Sequence, residues 1–279
     1  MLKYARAFLF IAFILSLNVS AQNQGATPAT QARAAQTAAQ DSKRLQTIQF
    51  QSKLVGQTLP YIVVLPVNYD QPAAKSERYP VLYLLHGLGG HYDNWATKTK
   101  LAEYARRYSM IVVTPEGNDS WYTDSATVPT EKYETYIVDE LIPDVQRRYR
   151  TVETRAGRSI AGLSMGGYGA LKFGVKHPEL FAFAGSMSGA LGAASWTESE
   201  LRGVEFIFRT LQPVYGAEHS ETRAANDLTK LFRELPAERI AALPFVYLDC
   251  GTEDPLLGAN RSLAELLVSR KIPHEYRQL

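Results

Sequence analysis

Residues 158–167 read Arg-Ser-Ile-Ala-Gly-Leu-Ser-Met-Gly-Gly, and the fold is decided by how this stretch is read. An apolar run leads into Gly162-Leu163-Ser164-Met165-Gly166, a G-x-S-x-G, and small residues follow at Gly167, Gly169 and Ala170. A strand that feeds a serine through a sharp turn into a helix forms a nucleophile elbow, and small neighbours let strand and helix approach closely. The serine oxygen then stands free at the sheet edge, over the positive end of the following helix. A phosphate loop would need a lysine after its last glycine, and Tyr168 and Gly169 stand there instead. Ser164 is therefore the candidate nucleophile.

Toward the N-terminus, Leu84-Leu85-His86-Gly87-Leu88-Gly89-Gly90 follows another apolar run and supplies backbone amides with little side-chain obstruction. An acyl-transfer site needs two donors aimed at the developing oxyanion. The amides of Leu88 and Met165 are the candidate pair, and His86 is expected to brace the loop rather than act as a base. Toward the C-terminus, residues 245–257 (FVYLDCGTEDPLL) read as a strand followed by an acidic loop. In an elbow fold the acid follows the nucleophile, on a loop beyond a later strand. Asp254 is the candidate; Asp249 and Glu253 read equally well as capping or turn groups.

The remaining pattern fits around these motifs. Residues 45–67 look strand-like, with a turn at Val55-Gly56-Gln57. The runs at 81–85, 110–114 and 158–162 are apolar without alternation, as in parallel strands covered on both faces. Helices are expected over 100–108 and 133–148; in the second, Tyr136, Ile137, Glu140, Leu141 and Val145 form a 3.6-residue stripe. Further strands are expected at 182–186, 245–249 and 275–279, with a helix at 259–270. Alternating strands and helices give an α/β architecture in one domain, a mostly parallel central sheet flanked by helices. Residues 196–242 break the rhythm and are expected to form an insertion over the carboxyl edge of the sheet, a candidate lid.

LLHGLGG, Asn94-Trp95, Pro115-Glu116-Gly117, Ser120-Trp121-Tyr122-Thr123-Asp124, GLSMGG and LDCGTEDPLL together resemble the Putative esterase (esterase D-like) family. That family holds S-formylglutathione hydrolases, feruloyl and acetyl-xylan esterases, and mycolyltransferases. The similarity runs from about Gln46 to the last residue. It implies an α/β-hydrolase fold without metal or organic cofactor. It also implies Ser164 as nucleophile, Asp254 as triad acid, and Leu88 and Met165 as oxyanion amides. The family's histidine follows the final strand, in a Gly-Gly-His-type loop after a segment like residues 274–279. His86, His91, His177, His219 and His274 do not match that place, and the chain ends at Leu279. The expectation is a fragment whose terminal helix and histidine are missing, leaving an apolar patch and an exposed last strand.

Composition bounds the partners. Of 279 residues, 46% are hydrophobic and 21% charged, which excludes disorder and collagen-like repetition. Lys and Arg total 30 against 28 Asp and Glu, so charge gives no reason to invoke nucleic acid or an anionic membrane. The lone Cys250 forbids an internal disulfide and a Cys-rich metal site. Lys3 and Arg6 precede an apolar run at 7–17, and Val19-Ser20-Ala21 offers small residues to a signal peptidase, so cleavage is expected after Ala21. The run is shorter than the roughly 20 residues that span a bilayer. A secreted or periplasmic protein, not inserted in the membrane after cleavage, is expected. Residues 22–44, rich in Gln, Ala and Thr, read as a flexible tether before the domain at 45–279.

The expected function is a secreted serine carboxylesterase acting on small-molecule or polysaccharide esters, feruloyl or acetyl groups on sugars among them. Trp95, Trp121 and Tyr122 are candidates for an aromatic wall against a sugar or phenolic acyl group, against an ordinary packing role. Two alternatives remain: acyl transfer to a sugar acceptor, and a non-catalytic binding protein on a decayed esterase scaffold.

Overall fold

The computed structural model describes residues 27, 29, 31–33 and 41–279. The chain divides into two compact units, Met1–Lys43 and Arg44–Leu279. In the first, the Gln31 amide donates to the Thr27 carbonyl at 3.0 Å, closing one helical turn. The expected signal peptide, and all but five residues of 22–40 in the expected tether, lie outside the described residues. Among the described residues, no helix is long and apolar enough to cross a membrane.

In the second unit eight strands form one sheet: β1 (Leu45–Ile48), β2 (Tyr61–Val64), β3 (Val81–Leu85), β4 (Ile111–Pro115), β5 (Arg158–Leu163), β6 (Phe183–Met187), β7 (Phe245–Cys250) and β8 (His274–Gln278). Their order is β1-β2-β4-β3-β5-β6-β7-β8. β1–β2 and β2–β4 pair antiparallel, and every other pairing is parallel. The strands expected at 81–85, 110–114, 158–162, 182–186, 245–249 and 275–279 fall within a residue or two of these, whereas the strand-like stretch 45–67 forms strands only at Leu45–Ile48 and Tyr61–Val64. The swap that puts β4 between β2 and β3 leaves no trace in local sequence, because it is a choice among partners distant in the chain.

Strand side chains alternate between two apolar layers. Tyr61, Val63, Val81, Tyr83, Leu85, Ile111, Val113 and Ile160 enter the larger core on one face. Ile62, Val64, Leu84, Val112 and Ala161 enter a smaller core on the other. Helices α1 (Asn94–Lys98) and α2 (Leu101–Ala105) cover the smaller core through Trp95, Ala96, Leu101 and Ala105. A long helical stretch follows β4: α3 (Tyr133–Thr135), a π turn (Tyr136–Leu141) and α4 (Ile142–Arg148). Pro143 removes one amide from this stretch, and the turn before it widens.

The elbow helix α5 (Met165–Lys176) is buried along nearly its whole length. Residues 196–242 hold α6 (Glu205–Tyr215), α7 (Glu221–Asn226), α8 (Leu228–Glu234) and α9 (Ala237–Ile240). Leu228 and Phe232 of α8 are fully buried, and α8 lies against α5 and α10 (Leu257–Ser269). The second half of this segment is thus a packed layer in the crossover from β6 to β7. β8 forms one edge of the sheet, and beside it the Phe183 ring stacks on Phe245 and Tyr247, with centroids 6.4 Å apart in both pairs.

Candidate active site

Ser164 sits between β5 and α5 with φ 55° and ψ −113°, a left-handed conformation that costs a non-glycine residue of order 1–3 kcal/mol. Its surroundings hold it there. Its amide donates to the Met187 carbonyl at 2.9 Å, and its carbonyl accepts from Tyr168 at 3.0 Å and Ala190 at 3.1 Å. The flanking glycines are a steric requirement. A Cβ at Gly162 would lie 2.4 Å from the Gly166 backbone, and one at Gly166 would lie 2.5 Å from the Leu85 carbonyl oxygen. Ser164 is half-buried at the carboxyl edge of the parallel strands, at the N-terminus of α5. Met165 is the first residue of that helix, where an amide has no partner one turn back.

The loop after β3 lies against this turn. A Cβ at Gly87 would meet the Ser164 Cβ at 3.5 Å. The Trp95 indole donates to the Leu85 carbonyl at 3.1 Å and the Tyr122 phenol to the His86 carbonyl at 3.0 Å. The Gly89 amide donates to Asp119 at 2.7 Å. His86 is buried; its Nδ1 lies 2.9 Å from the Gly87 carbonyl, which can only accept, so that nitrogen carries a proton. Its Nε2 meets the Gly117 amide at 3.0 Å and a Glu116 oxygen at 3.2 Å. Both ring nitrogens are therefore engaged in bracing the loop.

Glu116 is a buried carboxylate ringed by donors. Burial pushes its pKa up, but the adjacent His86 ring at 3.2 Å and the hydrogen bonds from the Asn118 and Tyr92 amides outweigh that and hold it down to about 2. A second buried charge lies deeper. Lys172 of α5 is fully buried and contacts Glu134 at 3.0 Å, the Tyr122 carbonyl at 2.7 Å and the Thr123 hydroxyl at 2.6 Å. Burial brings the Lys172 ammonium down to about 8, against the pull of Glu134. Burial would raise the Glu134 carboxyl, yet Lys172, His177 and Lys176 hold it well below the usual carboxylate range.

Asp254 lies half-buried in the loop after β7, at the same sheet edge as Ser164. Its amide donates to Gly251 at 3.1 Å, and its Oδ1 accepts from the Leu256 amide at 2.8 Å. Asp249 is one residue from the end of β7, and burial together with the Asp249 carboxylate raises the Tyr247 phenol pKa. The buried Asn260 of α10 donates to the Gly189 carbonyl at 2.9 Å, tying the acid loop's helix to the segment that holds Ser164. Cys250 is buried and its thiol pKa is raised by that burial.

The remaining histidines lie elsewhere. His91 is exposed and reaches Glu116 at 3.2 Å, and His177 bonds Glu134 at 3.0 Å. His219 is exposed in the turn before α7. His274 pairs with Val246 at the start of β8 and β7, the edge opposite Ser164.

The expectation of an aromatic wall is corrected for two of its three residues. Trp121 and Tyr122 take left-handed φ values of 54° and 51°, which turn their rings into the interior. The Trp121 indole donates to Thr210 at 2.9 Å and meets Tyr168 and Trp196 edge-on. Tyr122 packs against Gly117 and Gly169. Trp95 is half-buried and bonded to the oxyanion loop. An open cleft of about 250 Å³ lies instead beside Asp119, with Gln57, Asn118, Glu131, Tyr133 and Thr210 in its lining. The roles of Lys172 and Asn260 had no motif to announce them, and Tyr122, quoted in Ser120-Trp121-Tyr122-Thr123-Asp124, takes a buried bracing role rather than a ligand-facing one.

Residues 52–278 match the family model described as "Putative esterase". The chain belongs to this esterase family. The esterase is 30% identical to an acetyl esterase of Caldicellulosiruptor saccharolyticus over 239 residues, 83% of this chain and 88% of that protein. A solved ferulic acid esterase superposes with a TM-score of 0.70 at 28% identity, covering 84% of this chain and 89% of that one. A diacylglycerol acyltransferase/mycolyltransferase Ag85B of Mycobacterium leprae is 33% identical over 135 residues, 45% of this chain and 41% of its own length. The fold is that of the α/β-hydrolases, and at the level of the family the protein is a carboxylic-ester hydrolase.

Proposed function

We propose that this chain is an exported serine carboxylic-ester hydrolase that acts through an acyl-enzyme on Ser164, on feruloyl or acetyl esters of carbohydrates. The strained turn of Ser164, with Gly87 packed against its Cβ, carries the reading. In this scheme Ser164 Oγ attacks the ester carbonyl carbon, and the Leu88 and Met165 amides take the negative oxygen. The intermediate collapses, the alcohol leaves with the serine proton, and water then releases the carboxylic acid from the acyl-enzyme. A general base oriented by Asp254 would carry the proton, the role that the family resemblance gives to a histidine. His86 is not that group, because both its nitrogens are engaged in the loop, and His274 stands at the opposite edge.

The polar cleft beside Asp119 supports a carbohydrate ester, since a sugar is recognised by hydroxyl, amide and carboxylate partners with an aromatic face. The similarity to an acetyl esterase and a ferulic acid esterase points the same way. Export rests on the basic, apolar and small-residue pattern of residues 3–21.

Hydrolysis of p-nitrophenyl acetate and methyl ferulate by the protein and by Ser164→Ala tests the reading. Loss of turnover in the variant is expected; equal rates would overturn it. Export predicts a mature N-terminus at Gln22, and retention of Met1 in the exported protein contradicts it. The partial match to a mycolyltransferase favours one second reading, acyl transfer. Ester product with added trehalose or glycerol, at the expense of free acid, would select it.

A further inference from the structure

We propose that Lys172 is a positioning residue for ester cleavage: through Tyr122 it holds the oxyanion loop in place over Ser164. The inference rests on the assignment of Ser164 as nucleophile. Lys172 lies two turns beyond the elbow on α5, and it is fully buried. A buried ammonium is costly unless its donors are matched. Here three donors meet three acceptors: Glu134 at 3.0 Å, the Tyr122 carbonyl at 2.7 Å and the Thr123 hydroxyl at 2.6 Å. Glu134 is itself held by Lys176 and His177.

The carbonyl that Lys172 grips belongs to an unusual piece of backbone. Trp121 and Tyr122 are consecutive non-glycine residues with φ 54° and 51°. Such a pair persists only where its surroundings over-determine it. The conformation drives the Tyr122 ring into a slot between two glycines, where a Cβ would lie 2.4 Å from the ring at Gly117 and 2.7 Å at Gly169. At the far end of the slot the phenol donates to the His86 carbonyl at 3.0 Å. The next residue is Gly87, which packs on Ser164, and the one after is Leu88, the proposed oxyanion donor. A chain of direct contacts thus runs from a buried charge to the loop that must be preorganised. Lys172 touches no reacting atom in this arrangement. Its effect passes through one carbonyl and one phenol.

The test compares wild type, Tyr122→Phe, Lys172→Met and the double variant on p-nitrophenyl acetate. Tyr122→Phe keeps the ring and removes only the hydrogen bond. Each single change is expected to lower kcat between about tenfold and a hundredfold, with KM within roughly twofold, as for a misplaced catalytic group. The double variant should lose less than the product of the singles, because both act along one path. Unchanged kcat in Tyr122→Phe, or fully multiplicative losses, would overturn the inference. Should Lys172→Met not fold, the Tyr122→Phe result still decides. Amide hydrogen exchange separates this inference from the assignment of Ser164. If wild type and Ser164→Ala turn over ester equally, the nucleophile assignment fails. Faster exchange at Leu88, Gly89 and Gly90 in Tyr122→Phe, with α10 unchanged, would still support the loop-holding role; equal exchange there would overturn it.

Discussion

Between Leu85 and Gly90 the oxyanion loop is tied to the first helix, to the loop after β4 and to the elbow helix. Between Gly251 and Leu256 the acid loop is tied to itself, Asp254 to Gly251 and Leu256 to Asp254, and to the end of the edge strand, where the Thr252 amide donates to the Leu279 carbonyl at 2.8 Å. Thr252, Glu253 and Pro255 are exposed, whereas His86 and Gly90 are buried. The contrast follows from what each loop is asked to do. Oxyanion donors stabilise charge that exists only in the transition state, so they must already be in place when it forms. An acid that acts by orienting another group can sit on a local turn, provided that turn is anchored. Here Asn260 supplies an anchor, through Gly189.

The sharpest test of that contrast is on the loosely held side. If Asp254 orients the base, Asp254→Asn should lower kcat about 10⁴-fold, whereas Asp249→Asn should stay within about threefold. Reversal of the two would move the acid to β7 itself. On the tightly held side, Gly166→Ala forces a Cβ to within 2.5 Å of the Leu85 carbonyl oxygen. Neither backbone can yield, so denaturant unfolding should show a loss of about 3 kcal/mol. A loss below about 0.5 kcal/mol would mean the packing of elbow on loop is slack.

Smaller effects should follow at the rim of the loop. Asp119→Ala removes the acceptor of the Gly89 amide, and kcat on p-nitrophenyl acetate should fall about tenfold with KM little changed. An unchanged rate would show that the other ties suffice. The last effect is one of pH. The folded Glu116 carboxyl titrates at about 2, below its ordinary 4.5. It therefore stabilises the fold fully above about pH 4.5, and that contribution is lost as pH falls toward 2. The thermal midpoint should be flat on this account near neutrality and drop below pH 4.5, and the acid limb should be shallower in Glu116→Gln.

The same contrast marks what could be read from the sequence. The strands Val81–Leu85 and Arg158–Leu163 and the elbow between strand and helix were legible, because apolar runs, glycines and a serine at fixed spacing are local signals. The ties that hold the loops were not. Lys172 on a helix reads as a solvated residue until Glu134, 38 positions earlier, is placed beside it. Trp121 and Tyr122 read as a surface for ligand, and only their left-handed φ values turn them inward. Asn260 has no motif at all. Each depends on long-range packing, which a single sequence does not display.

Reaction with a fluorophosphonate, followed by peptide mass spectrometry, tests the central claim most directly. A single phosphonyl adduct on the peptide containing Ser164, absent from Ser164→Ala, is the predicted result. Ester hydrolysis accompanied by an adduct on a different residue, with Ser164 unmodified, would contradict it.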